Sequence, residues 1–254
     1  MPRRGSPDGS SLGLRADIFL VKHGHAASRE EAQAAIRAGL VKAGGQIVTK
    51  PAQLLKDGAE IQYRRAHSYV SRGGVKLTAA LDRFGLSPAD CVCLDIGSST
   101  GGFTQVLLDR GAARVYCVDV GHGQLDAKLQ ATGKVVLLEG VNARRLGQSQ
   151  IPEAPAVVTG DLSFISLRQA IGPALSFARG GAWAVLLVKP QFEAGPDAVP
   201  RNGVVRDQAV QQSALADVTR WVVAQGWEEI GSMDSPITGK TGNREFLLAV
   251  RKEI

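Results

Sequence analysis

The sequence predicts an α/β protein, with a doubly wound sheet over residues 72–254 and a small α+β module ahead of it over residues 12–62. Three observations carry this. From Asp90 onward, short runs rich in Val, Leu and Ile alternate regularly with helical patterns. Such runs fit strands buried on both faces, and the alternation fits a parallel sheet. The first run enters a loop of very small residues, CVCLDIGSSTGGFT from Cys91 to Thr104. Charge is also segregated: residues 12–72 hold 10 Lys/Arg against 5 Asp/Glu, whereas residues 73–254 hold 18 of each.

The 254 residues suffice for one large or two modest domains, and 44% are hydrophobic, as in ordinary globular proteins. No apolar run approaches the roughly 18 residues of a membrane span. The first eleven residues, MPRRGSPDGSS, have two arginines with no apolar stretch behind them. They read as a disordered tail, not a secretory signal. Cys91, Cys93 and Cys117 all fall within strand patterns, and no histidine or further cysteine stands at zinc spacing. Free buried thiols in a reducing cytoplasm are expected, and no metal.

In the small module, Leu14 to Val21 reads as a helix presenting Leu14, Ile18 and Val21. Ser28-Arg-Glu-Glu31 is a capping box that opens a second helix through Ala32, Ala35 and Ile36. Gly39 supplies a left-handed stop. Leu40-Val41 and Ile47-Val48 form a hairpin around Gly44-Gly45, a pair suited to positive φ. Pro51 to Ile61 leads to another short strand, and residues 63–71 form a basic linker. The net positive charge points to a phosphate-rich partner and, lacking an aromatic-rich apolar face, away from a membrane surface. The stretch RADIFLVKHGHAASREEAQAAIRAGLVKAGGQIVTKPAQLLKDGAEI resembles an S4 RNA-binding domain. It departs from the pattern at Gly44, where an Asn is expected. The resemblance implies that Arg15, Lys22, Arg29, Arg37, Lys42 and Lys50 face RNA; Arg65 and Arg72, in and just after the linker, extend that basic set.

In the large domain, Gly97 and Gly102 fit the outer positions of a dinucleotide loop, but Ser99 replaces the middle glycine that lets a backbone approach a pyrophosphate. A nucleoside ligand without phosphates fits better, and S-adenosylmethionine is the candidate. Asp119, 17 residues after Gly102, ends the next strand and can accept from both ribose hydroxyls. Strands are expected at 91–95, 114–119, 135–138, 156–160, 183–188, 228–232 and 245–250. Helices are expected near 77–84, 103–110, 124–131, 167–178 and 207–225. The last two strands are joined without a helix, which resembles the antiparallel last strand of Rossmann-like methyltransferases.

Polar residues stand where such a sheet places its chemistry. Asp161 and Lys189 end parallel strands, Glu245 begins the last strand, and Lys76 precedes the first helix of the domain. A lysine that closes six apolar residues, Trp183 to Val188, is a strong signal. Buried beside charged neighbours, a lysine can act as a base. With SRGGVKL, LDIGSSTGGFT, DLSFISL, VKPQFE and GNREFLL, the chain resembles the TlyA (hemolysin A) family, an S4 domain joined to an FtsJ-like ribosomal RNA ribose 2′-O-methyltransferase. The resemblance implies a Lys76-Asp161-Lys189-Glu245 tetrad with Lys189 as base. It implies cofactor contacts from Gly97, Ser98, Ser99, Gly101, Phe103, Asp119 and Asn142, while Asp95 fixes the loop or meets the methionine ammonium through water. The long loop Glu193–Asp207 is expected to close over RNA, with Arg201 and Arg206 near phosphates. Expected partners are ribosomal RNA or ribosomal subunits, with no membrane and a monomer or weak dimer. The competing readings are a non-catalytic assembly factor, a membrane-active hemolysin and, disfavoured by Ser99, an NAD-dependent oxidoreductase.

Overall fold

The computed structural model describes residues 13–254, so the expected tail lies outside the described residues. The chain divides into two compact units between Ser68 and Tyr69. The segment Tyr69-Val70, expected in the linker, packs on the core of the second unit. Val70 N–H donates to Gln105 Oε1 at 2.7 Å, and the Tyr69 and Thr78 hydroxyls lie 2.7 Å apart.

The first unit runs β1 (Leu14–Arg15), α1 (Ala16–Lys22), α2 (Arg29–Arg37), β2 (Val41–Ala43), β3 (Gln46–Ile47), β4 (Leu54–Leu55) and β5 (Ile61–Tyr63). Helix α1 starts later than the sequence suggests, because Leu14 and Arg15 pair with Leu55 and Leu54. Its buried face is Ala16, Phe19 and Leu20, and not the face carrying Ile18. Helix α2 starts as expected, with Glu31 N–H donating to Ser28 Oγ at 3.2 Å, and it buries Ala32, Ala35 and Ile36. The β2–β3 hairpin turns through Gly44 at φ 55° and Gly45 at φ 79°, the left-handed pair of a two-residue hairpin loop.

The second unit continues with α3 (Gly73–Phe84), β6 (Val92–Ile96), α4 (Gly102–Asp109), β7 (Arg114–Asp119), α5 (Ala127–Gln130), β8 (Val135–Glu139), β9 (Val157–Gly160), α6 (Leu167–Ala170), α7 (Gly172–Phe177), β10 (Trp183–Val188), α8 (Pro190–Glu193), α9 (Gln208–Val223), β11 (Trp227–Asp234) and β12 (Phe246–Lys252). The sheet order is β11-β12-β10-β9-β6-β7-β8. Strands β10, β9, β6, β7 and β8 pair in parallel, and β12 is antiparallel to both of its neighbours. Chain order reverses between β6 and β9, which makes the carboxyl edge there the expected ligand crevice.

Both faces are buried. Along β10, Ala184, Leu186 and Val188 face one core with Ile171, Leu175 and Val218. Trp183, Val185 and Leu187 face the other with Leu77, Leu81 and Leu107. Strand alternation thus explains why the run is apolar throughout. The expected helix 167–178 is two short helices, because Gly172-Pro173 interrupts it and proline supplies no N–H. The expected helix 124–131 is only the turn Ala127–Gln130. Helix α3 begins at Gly73, so Lys76 lies inside its first turn and not ahead of it.

Candidate active site

The ladder brings three charged residues to one edge, and α3 adds a fourth, Lys76. Leu186 of β10 is level with Gly160 of β9, and Gly160 with Ile96 of β6. The next residues are the strand ends Gly97 and Asp161, with Lys189 two positions beyond Leu187. Val188 is opposite Phe246, so Lys189 and Glu245 are the flanking positions just past the last rung of the β10–β12 ladder. Lys189 Nζ lies 2.6 Å from Asp161 Oδ1 and donates to Ser163 Oγ at 2.8 Å. Lys76 Nζ lies 2.5 Å from Glu245 Oε2. The Lys76 and Glu245 side chains are 8% and 3% exposed, and those of Lys189 and Asp161 are 9% and 24% exposed. Two ion pairs therefore sit at the sheet edge, and the Asp161 carboxylate is the member nearest solvent.

A cavity of about 500 Å³ opens beside Asp161, lined also by Gly97, Ser99, Asp119, Asn142 and Phe164 among others. That size lies within the roughly 300–1,000 Å³ of small-molecule sites. Asp119 Oδ2 accepts from Ser99 N–H at 2.8 Å and Oδ1 from Gly121 N–H at 2.7 Å, which holds both oxygens at the rim. Gly97 has φ 80°, and a Cβ there would stand 2.5 Å from the Asp161 carbonyl oxygen. The loop can therefore approach the β9 end only with glycine at that position. Asn142 Oδ1 also accepts from Arg144 N–H at 3.0 Å, capping a short turn.

Other expected cofactor residues point elsewhere. Asp95 is fully buried: it shares strand parity with Cys93, and so faces α4 instead of the cavity. It accepts from Thr104 Oγ1 at 2.6 Å and Thr159 Oγ1 at 2.8 Å, pinning α4 and β9 to β6. Phe103 lies in the core at 3% exposure, and Gly101 turns the loop at φ 97° against Leu125 and Leu129. Ser98 is buried, and among the described residues its Oγ has no hydrogen-bond partner, an unspent donor within the loop.

Burial pushes the Asp95 carboxyl up to about 6, the threonine bonds lower it in part, and the Asp161 charge adds to the rise. A carboxyl whose folded value exceeds its unfolded value binds more protons in the native state. Its contribution to stability is therefore full below about pH 4 and is lost as pH rises through about 6. Relative to Asp95→Asn, the wild type is expected to lose roughly 2–3 kcal/mol between pH 4 and pH 7. Urea unfolding of both proteins across that range checks this, and identical pH profiles would contradict it.

Several residues of the site were not singled out from sequence. Ser163 holds Lys189. Phe164 is 92% exposed at φ 64°, with its ring 5.5 Å from that of Phe192. Glu193 is buried and accepts from Ser166 Oγ and Leu167 N–H, both at 2.6 Å, tying the loop after Asp161 to the helix after Lys189. Asn243 accepts from Val205 N–H at 2.9 Å and donates to Gly203 O at 2.8 Å, fixing the far end of the 194–207 loop near Glu245. The motifs DLSFISL, VKPQFE and GNREFLL carried these residues, but spacing alone did not assign them roles. Arg201 and Arg206 are exposed on that loop.

In the first unit Arg15, Lys22, Arg29, Arg37, Lys42, Lys50 and Arg65 are all exposed. Arg15 and Arg29 both bond the buried Asp17 carboxylate, at 3.1 and 2.9 Å. Gln33 Nε2 donates to the same group at 2.8 Å. Burial raises the Asp17 carboxyl, but these bonds outweigh it and hold the group below the usual carboxylate range. Arg65 pairs with Glu31 at 3.0 Å. Arg72 belongs to the second unit, where it donates to the Thr238 carbonyl at 3.4 Å.

An open sheet with an antiparallel last strand, and a nucleoside-sized cavity at its switch point, define a Rossmann-like S-adenosylmethionine-dependent methyltransferase. The chain belongs to the FtsJ-like methyltransferases, whose family model matches residues 69–252, within the TlyA (hemolysin A) group; an S4 domain model matches residues 14–61. It is 42% identical over 241 residues to the 16S/23S rRNA (cytidine-2′-O)-methyltransferase TlyA of Mycobacterium tuberculosis, covering 94% of this chain and 90% of the relative. It is 38% identical to Hemolysin A of Brachyspira hyodysenteriae, covering 92% and 98%. A solved structure described as a hemolysin, from Streptococcus thermophilus, superposes with a TM-score of 0.76 at 39% identity, covering 95% and 89%. Among the described residues, no helix is long and apolar enough to cross a membrane, and no cluster of three or more His, Cys, Asp or Glu could hold a metal.

Proposed function

We propose that the protein methylates a ribose 2′-hydroxyl of ribosomal RNA, with Lys189 as the base. The observation that carries this is the Lys189–Asp161 pair at 2.6 Å, at the mouth of the cofactor cavity. S-adenosylmethionine, when bound, supplies an electrophilic sulfonium methyl group. Asp161 and the Ser163 hydroxyl aim the lysine nitrogen; its neutral amine form, after the ammonium has given a proton to solvent, takes the proton of the hydroxyl as the oxygen becomes nucleophilic. The Lys76–Glu245 pair completes the charge network and helps hold the nucleotide. Positioning and fixed charges supply most of the barrier reduction. Phe164 offers an exposed ring on which the base of that nucleotide can stack. The Mycobacterium tuberculosis relative, a 16S/23S rRNA (cytidine-2′-O)-methyltransferase, supports the same substrate class.

Asp119 receives the cofactor ribose, Gly97 and Ser99 the methionine side, and Asn142 the adenine end. Asp119→Ala is expected to weaken S-adenosylmethionine binding by about 10- to 100-fold, since it removes hydrogen bonds to a charged acceptor. Titration calorimetry with S-adenosylmethionine checks this, and an unchanged dissociation constant would place the ribose elsewhere. The exposed arginines and lysines of the first unit supply the grip on RNA phosphates, which makes RNA binding steeply salt-dependent. The reading as a whole is tested by tritiated methyl transfer from S-adenosylmethionine to purified bacterial 30S and 50S subunits. Label in rRNA supports it. Cofactor binding with no label in either subunit favours a non-catalytic RNA-binding role.

A further inference from the structure

A second and larger cavity, about 860 Å³, adjoins the cofactor cavity and takes no part in the chemistry above. Phe164 and Ile165 line both. Beyond that shared wall the lining includes Gln169, Gln191, Phe192 and Trp221. The Phe192 ring centre lies 6.0 Å from Lys189 Nζ, so the Phe164–Phe192 pair separates the reacting edge from this second space. Among the described residues, Gln191 Oε1 is buried with no hydrogen-bond partner. A buried orphan acceptor is costly, and it gains by turning toward a donor that enters the cavity.

We infer that this cavity is a second nucleobase subsite, holding the base of a nucleotide that flanks the one being methylated. The inference rests on the ribose-methylation reading and adds a recognition element to it. Aromatic walls suit a base face, since stacking on aromatic rings is the sequence-tolerant part of single-strand recognition. The amides of Gln191 and Gln169 supply edge contacts, and Gln191 Oε1 asks for a donor such as an exocyclic amine. A strand threaded past Lys189 would place one base against the outer face of Phe164 and a neighbour beyond Phe192.

Two measurements test this on the full-length protein and on whichever ribosomal subunit the wild type labels. Gln191→Ala is expected to lower kcat/KM for the subunit by about tenfold, the loss of one buried hydrogen bond, with the S-adenosylmethionine dissociation constant unchanged. A photo-crosslinker, p-benzoylphenylalanine, in place of Trp221 is expected to join rRNA at a nucleotide immediately beside the methylated one. The same group in place of Val223, which is 48% exposed on the same helix and does not line the cavity, is the control. Unchanged kcat/KM in Gln191→Ala overturns the subsite. So does a position-221 crosslink that is absent, remote from the methylated nucleotide, or matched by the control. Absence of label with the wild type is a separate result: it removes the ribose-methylation reading itself, and the subsite with it.

Discussion

Lys189→Ala is expected to leave a folded protein that binds S-adenosylmethionine normally and transfers methyl groups at a rate reduced by about 10²–10⁴-fold, the range for a lost general base. Stability should change less. Asp161, the partner left behind, is 24% exposed, so water can solvate its carboxylate. Lys189→Arg keeps the charge but is not expected to rescue the rate, because a guanidinium stays protonated. Single-turnover methyl transfer and calorimetry on the three proteins separate the effects. A Lys189→Ala enzyme with more than about a tenth of wild-type rate would remove the lysine from the chemistry.

Glu245→Ala should behave differently. It leaves the Lys76 ammonium, with a side chain 8% exposed, without its partner. Breaking such a buried pair costs about 3–5 kcal/mol, since the remaining charge cannot reach water. Lys76→Met alone should cost a similar amount for the reciprocal reason. The double variant Lys76→Met with Glu245→Leu is expected to recover most of that stability and stay inactive, because apolar replacement removes the desolvation cost but not the need for the charges. Urea unfolding checks the stabilities and methyl transfer the activity. A single variant that costs under about 1 kcal/mol, or an active double variant, would contradict the account.

The sheet was legible because its strands are buried on both faces, which leaves near-continuous apolar runs such as Trp183–Val188. The edge residues followed, since a polar residue that ends such a run marks the point where the strand leaves the core. Elements set by tertiary pairing were not legible. Leu14-Arg15 is a strand only because Leu54-Leu55 lies opposite, and that pairing hid the true phase of α1. The helix was expected from Leu77 with Lys76 just ahead of it, yet α3 opens at Gly73 and takes Lys76 into its first turn. From its place before the loop, Asp95 was expected to fix the loop or to meet the methionine ammonium through water. Strand alternation turns it inward, toward Thr104 and Thr159. Phe164 was missed because nothing in DLSFISL announces a left-handed backbone that holds a phenylalanine ring in solvent.

The most direct test of the central claim is the chemical position of the transferred methyl. A methyl on the ribose 2′-oxygen blocks alkaline cleavage of the adjoining phosphodiester, because that oxygen is the nucleophile in the cleavage. The rRNA labelled by the wild-type enzyme should therefore release its tritium in alkali-resistant dinucleotides, and Lys189→Ala should release about a hundredth of that or less in the same time. Tritium recovered in alkali-released mononucleotides, on a base, would contradict ribose methylation and the role assigned to the Lys189–Asp161 pair.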